Sequence, residues 1–199
     1  MKKKIILVIG GTGFIGYHLL KKTTKLGWTS ISVSRNKPQK YRKVKKVKYI
    51  KINLKKCKKI NNKLNEKYDY IVNLSGNSGK GNNSYIKSLI NFISKKSISK
   101  FIHIGSSAEY GNITKLPHTE NLKCAPNSIY GKQKLEITNF ILKKYKKNFF
   151  PVTILRLFQV YGLKDNKNKI LPYVLKNCLK NNKFNLTEGL QTRDFCNVD

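Results

Sequence analysis

A chain of 199 residues, 39% of them apolar, has room for one α/β core and the beginning of a second unit, but not for two full domains. Its 42 Lys and Arg stand against 9 Asp and Glu, a formal charge of +33. That charge is almost all lysine and runs from Lys2 to Lys183 without gathering into a stripe, which argues against a specific nucleic-acid interface and for a solvated surface that attracts small polyanions.

The opening MKKKIILVIGGTGFIG imitates a secretion signal, yet Gly10, Gly11, Gly13 and Gly16 interrupt the apolar run and no small-residue cleavage site follows. It predicts a buried strand at 4–9 and a helix at 14–26. Strands are expected at 29–34, 47–53 and 69–74, a helix around 83–98, a strand at 100–105, a helix at 128–147 and a strand at 151–158. KIILVI, YIVNL, KFIHIG and VTILRLF are nearly continuous in apolar residues, as strands are when helices cover both faces of a parallel sheet. The expected fold is therefore α/β, a doubly wound parallel sheet of Rossmann type. After Gly162 the alternation ends, and a helix near 168–182 and a strand near 183–187 lead to TEGLQTRDFCNVD. Residues 1–162 read as a dinucleotide-binding domain and 163–199 as the start of a small substrate-binding region.

No stretch has the length of a membrane span. Cys57, Cys124, Cys178 and Cys196 show no C-x-x-C spacing and do not cluster in sequence with His18, His103 or His118. Reduced thiols in a cytoplasmic protein, with no metal site, are the expectation.

VIGGTGFIG places Gly10, Gly13 and Gly16 between a strand and an apolar-periodic helix. Gly10 permits the tight turn, Gly13 lets backbone N–H groups reach a pyrophosphate, and Gly16 lets helix pack on strand. Phe14 and Ile15 open the helix and belong to the same anion-binding end. In open α/β sheets ligands bind at the carboxyl ends of strands, which adds Asn53 and Leu54, Leu74, Ser75 and Gly76, with GNSGKGNNS as the loop that follows. About twenty residues past the glycine turn, where an acidic side chain usually meets the adenosine ribose, ISVSRN presents Ser34 and Arg35. The missing carboxylate removes a repulsion toward a 2′-phosphate and Arg35 offers a charge-assisted bond to it, so NADP(H) is favoured and NAD(H) remains possible.

YGKQK sets Tyr130 and Lys134 one helical turn apart on one face. Spacing alone is weak in so lysine-rich a chain, because Tyr17/Lys21 and Tyr41/Lys45 share it. Context selects Tyr130, which opens a helix after the strand end FIHIG and the segment SSAEYG. A phenol of ordinary pKa near 10 must come down about three units, ~4 kcal/mol, to exchange protons near neutrality, and a neighbouring ammonium supplies much of that.

With VIGGTGFIG, SSAEYG, YGKQK, LRLFQVYG and RDFCNVD in this order, the chain resembles the extended short-chain dehydrogenase/reductase family, which comprises nucleotide-sugar epimerases, dehydratases and reductases. The resemblance covers nearly the whole chain. It implies that Ser106, four residues before Tyr110, holds the sugar oxygen beside Ser107, and that Tyr130 and Lys134 are the family's catalytic tyrosine and lysine. It implies that Arg193 grips the diphosphate of a nucleotide-diphosphate sugar, that Gln159 stands where Asn is usual, and that the protein is a homodimer. Leu163 follows Gly162 where Pro is common. Family dehydratases carry an acid pair after the catalytic hydroxyl, whereas Ser107 and Ala108 follow here, so dehydration is disfavoured.

The activity expected is reduction of a 4-keto nucleotide-diphosphate sugar with NADPH. The alternatives are an NAD-dependent 4-epimerase of a UDP-sugar and a catalytically silent NADP-binding protein. In the family the final motif continues past the position of Asp199, so this chain is expected to be part of a longer one.

Overall fold

The computed structural model describes residues 3–53, 64, 67–76, 83–95, 98–112, 117–149, 151–190 and 192–199. Leu54, Cys57 and residues 77–82 of the expected loop lie outside them. The chain divides into two compact units, Met1–Leu157 and Phe158–Asp199, a few residues before the expected division at Gly162.

In the first unit six strands form one parallel sheet: β1 (Ile5–Ile9), β2 (Thr29–Ser34), β3 (Val47–Lys51), β4 (Tyr70–Asn73), β5 (Lys100–Ile104) and β6 (Val152–Leu155). Their order is β3-β2-β1-β4-β5-β6, so the winding reverses between β1 and β4. That reversal opens a crevice at the carboxyl edge, where ligands bind in such sheets.

Among the described residues this unit has three α-helices: α1 (Phe14–Lys25), α2 (Ser84–Ile93) and α3 (Ile129–Asn148). Alternate residues of β1 serve opposite faces, as a period of two requires. Leu7 and Ile9 join Ile86, Leu89 and Ile90 of α2 and Ile137 and Ile141 of α3 in one core cluster. Ile6 and Val8 join Leu20 of α1 and Val72 of β4 in the other. Apolar burial on both faces is why these strands lack polar alternation. Among the described residues, no helix is long and apolar enough to cross a membrane.

The strand expected over 151–158 is Val152–Leu155; just past it the Arg156 guanidinium turns to a buried carboxylate, while the Ser107 N–H still bonds the Leu157 carbonyl. The helix expected to 98 ends at Ile93. In the second unit β7 (Gln159–Tyr161) pairs in parallel with β8 (Phe195–Asn197), and α4 (Ile170–Cys178) lies between them in sequence. The strand expected at 183–187 is not formed. Phe184 instead packs edge-on against Tyr173 of α4, ring centroids 5.7 Å apart.

Candidate active site

The turn from β1 into α1 is built around backbone crowding. Gly10 has φ +83, and a Cβ there would stand 3.1 Å from the Ser75 amide nitrogen, while one on Gly16 would come to 2.5 Å from the Gly11 Cα. No side chain caps α1 at Gly13, and its first turn, Phe14 to Gly16, carries no acid, so no charge of the helix itself offsets the positive end of its dipole. Leu74 and Ser75, just past β4, border this turn at Gly10, and Gly76 follows beside Lys134.

At the end of β2, Ser34 is buried and its Oγ accepts a hydrogen bond from the Thr12 N–H at 3.3 Å. The hydroxyl thus ties the glycine turn to β2 where a carboxylate would carry charge. Arg35 is exposed, and its charge offsets part of the rise that burial imposes on the Tyr85 hydroxyl. Asn53 is exposed beyond the end of β3. A cleft of about 280 Å³ lies beside the glycine turn and β2, lined by Thr12, Ser32, Asn36, Lys37, Lys43 and Lys51 among others. Sequence reasoning missed these three lysines because no spacing singles them out in a lysine-rich chain.

Beyond β5, Ser106 caps a 3₁₀ turn, Ser107–Glu109. Its Oγ accepts from the Ala108 N–H at 3.2 Å, and its own N–H donates to Glu109 Oε1 at 2.9 Å. Ser107 donates its N–H to the Leu157 carbonyl at 2.9 Å, which ties the turn to the chain after β6. Glu109 is fully buried, and its other oxygen accepts from Thr138 Oγ1 at 2.9 Å and Arg156 Nε at 3.0 Å. Its carboxylate is committed to the core. Glu109 and Arg156 were not singled out as a pair by the sequence, which carries no periodic signal linking positions so far apart.

α3 begins hard against this turn. Ser128 caps the helix by accepting from the Gly131 N–H, and a Cβ on Gly131 would collide with the Ala108 carbonyl oxygen. Tyr130 is 37% exposed at the start of the helix, whereas Lys134 one turn on is 8% exposed. Lys134 Nζ donates to the Ile104 carbonyl at 2.8 Å and lies 5.9 Å from the Tyr130 ring centroid. Burial holds its ammonium below the usual lysine range, and the Glu109 carboxylate offsets part of that. The structure thus brings Tyr130, Lys134 and the end of β5 together, with α3 packed on the turn that follows Ser106. Tyr17 is instead buried against His18, and Tyr41 is exposed with the Arg42 guanidinium over its ring.

Beside Lys134, His103 of β5 is buried and faces Asn73 of β4, Nδ1 to Nδ2 3.1 Å. Burial, reinforced by the Lys134 charge, lowers its pKa to about 3 from an ordinary 6.5. Between those pH values the unfolded chain binds a proton that the folded chain does not, so stability falls as the pH drops through that window. Thermal midpoints measured from pH 7 to pH 4 should decline more steeply for the parent than for His103→Gln. Parallel declines would mean that His103 takes up its proton without loss of fold.

The second unit holds the remaining expected residues. Gln159 is exposed at the start of β7, and its N–H donates to the Asp194 carbonyl at 3.1 Å, so the chain next to Arg193 runs beside it. Arg193 is exposed, with a guanidinium N–H on the Thr192 carbonyl at 3.0 Å.

The model of the NAD dependent epimerase/dehydratase family matches residues 6–199. The Bifunctional protein GAL10 of Kluyveromyces lactis is 24% identical over 185 residues, covering 80% of this chain and 27% of that protein. An uncharacterized UDP-glucose epimerase of Bacillus subtilis, YtcB, is 28% identical over 217 residues, covering 96% of this chain and 67% of its own. The chain therefore spans between about a quarter and two thirds of these relatives. Among solved structures, the UDP-glucuronic acid 4-epimerase of Bacillus cereus, in complex with UDP-glucuronic acid and NAD, superimposes with a TM-score of 0.84 at 24% identity, over 98% of this chain and 69% of that one.

Proposed function

Because the chain belongs to the NAD dependent epimerase/dehydratase family, we propose that it carries the dinucleotide site and the proton-transfer residues of a nucleotide-sugar oxidoreductase. The observation that carries this reading is the buried Lys134 ammonium, fixed on the Ile104 carbonyl beside the Tyr130 ring. A surface Tyr-x-x-x-Lys pair would have no reason to bury its lysine.

The residues fit a dinucleotide. The Gly10 to Gly16 turn leaves room where any Cβ would intrude, and the uncapped start of α1 offers Phe14, Ile15 and Gly16 N–H groups to a pyrophosphate. Asn53 and Leu74 to Gly76 border the same edge. When bound, the nicotinamide supplies or accepts the hydride. The chain's own residues do the rest: Lys134 holds the cofactor ribose and steadies negative charge on Tyr130, Tyr130 gives its proton to the sugar oxygen, and Ser106 orients that oxygen. Gln159 and Arg193 would contact the nucleotide-diphosphate sugar, Arg193 with a planar fork suited to phosphate oxygens. Dehydration is disfavoured, since Glu109 is buried and engaged by three donors and Ser107 and Ala108 offer no acid.

The direction favoured is reduction of a 4-keto sugar with NADPH. Ser34 leaves no carboxylate to repel a 2′-phosphate, while Arg35 and the cleft bearing Lys37, Lys43 and Lys51 offer charge to it. NADPH should bind about ten- to a hundredfold more tightly than NADH, the worth of one charge-assisted bond. Arg35→Ala and Lys37→Ala should each erode that gap. Nicotinamide-fluorescence titrations of both dinucleotides check it. A second reading, 4-epimerisation of a UDP-sugar with bound NAD, is favoured by the relatives that carry epimerase names. Equal affinities, or tighter NADH, would put that reading first.

A further inference from the structure

The Asn73–His103 pair has a fixed orientation. Ser75 donates both its N–H, at 3.1 Å, and its hydroxyl, at 2.6 Å, to Asn73 Oδ1, so the NH₂ end of that amide faces His103 Nδ1. Nδ1 is then an acceptor, and the imidazole proton sits on Nε2. His103 is 1% exposed, and its Nε2 has no hydrogen-bond partner among the described residues. Native cores rarely leave such a donor unmatched.

His103 and Lys134 line one small pocket with Ser75, Gly76, Asn83 and Gln133. It has about 10 Å³ of room for the centre of a water molecule, which is space for one. The lysine head is close to it, since a Cβ on Gly76 would stand 3.1 Å from Lys134 Nζ. We propose that His103 is a positioning residue for Lys134, donating from Nε2 to a single water that also accepts a hydrogen bond from the Lys134 ammonium.

A donor count supports the arrangement. The ammonium has three N–H groups and no acceptor. One bonds the Ile104 carbonyl, and one is left for the cofactor ribose, on the reading of Lys134 given above, on which this inference rests. Among the described residues no anion is free to take the third: Glu109, from the turn after β5, is engaged by Ser106, Thr138 and Arg156, and Tyr130, from α3 itself, presents its ring. Among the described residues of the β4 loop and the segment before α2, those that line the pocket are the uncharged Ser75, Gly76 and Asn83. A water oxygen taking bonds from Nε2 and Nζ matches both donors at once. It would link the loop after β4, through Ser75, Asn73 and His103, to the lysine, and would keep the ammonium charged in a site whose burial opposes the charge.

The chain holds three histidines, so long-range ¹H–¹⁵N imidazole spectra without dinucleotide resolve His103. A neutral Nε2–H tautomer that persists at pH 5 is expected, and an Nδ1–H tautomer would overturn the proposal even if no variant folds. The second readout is the titration of Lys134 by its ¹³Cε resonance, identified by its loss in Lys134→Met. His103→Phe, which removes the donor and closes the water site, should lower that midpoint by about one to two pH units, the size of one hydrogen bond to a charged group. His103→Gln, which keeps an N–H near the same place, should restore most of it. A Lys134 midpoint unmoved by His103→Phe would overturn the proposal. Both measurements are made on the cofactor-free chain. NADPH and NADH titrations run beside them report separately on the dinucleotide reading, so failure of that reading and failure of this one give different results.

Discussion

Glu109→Ala is expected to lower folding stability by about 3–5 kcal/mol, the usual cost of removing one partner from a buried ion pair. The carboxylate is fully buried and Arg156 is 16% exposed at its side chain, so loss of the acid strands a guanidinium that water reaches only poorly. Arg156 keeps its place over the Tyr110 ring, 4.9 Å from the centroid, and its contact with the Glu120 carbonyl, and neither neutralises its charge. Thr138 and the Ser106 N–H lose acceptors in the same step. Glu109→Gln should fall between, because an amide keeps one acceptor but turns an NH₂ group toward donors. Replacing both partners, Glu109→Leu with Arg156→Leu, should recover much of the loss, since an apolar pair leaves no buried charge. Urea unfolding at neutral pH measures all four proteins. A loss under about 1 kcal/mol for Glu109→Ala would show that the pair does not hold the turn that carries Ser106.

The sheet was legible because its strands are buried on both faces. A run such as IILVI, too short for a helix and closed by glycines, reads as a central parallel strand, and the structure places every residue of it after Ile5 in the core. The glycine turn was legible from local spacing, which turn geometry converts directly into position, whereas the Tyr130–Lys134 pair also needed the strand end and SSAEYG before it, because Tyr17/Lys21 and Tyr41/Lys45 share its spacing. The buried network around Glu109 was not legible. Ser106, Glu109, Thr138 and Arg156 come from a strand end, a turn, a helix and a post-strand segment, and only packing of α3 against that turn brings them together. The same holds for Asn73 and His103, which read as polar interruptions of two apolar strands. Register alone makes them partners, since Asn73 stands opposite His103 in the β4–β5 ladder. Phe195–Asn197 went unread because a three-residue strand has no period to detect, while KFNLT had strand-like residues but no edge to join.

Tyr130→Phe is expected to lower turnover by about 10²–10⁴, the range associated with loss of a positioned general acid. Phenylalanine keeps the ring beside Lys134 and the start of α3 against the Ala108 carbonyl, so the cofactor should bind as before and the defect should lie in kcat. Two tyrosines with the same spacing to a lysine serve as controls. Tyr17 is packed on His18 inside α1 and Tyr41 is solvent-exposed, so Tyr17→Phe and Tyr41→Phe should change turnover little. Lys134→Met should weaken turnover and dinucleotide affinity together, because one ammonium serves both the ribose and the charge on Tyr130. Ser106→Ala should reduce turnover more than affinity, since its hydroxyl is read as the group that orients the sugar oxygen and it stands away from the glycine turn. The assay is stopped-flow oxidation of NADPH with a panel of 4-keto nucleotide sugars, beside NAD-dependent interconversion of UDP-sugars. Parent-like turnover in Tyr130→Phe would assign the proton to another group, whereas tight dinucleotide binding with no turnover of any keto or hydroxy nucleotide sugar would favour a silent dinucleotide-binding protein.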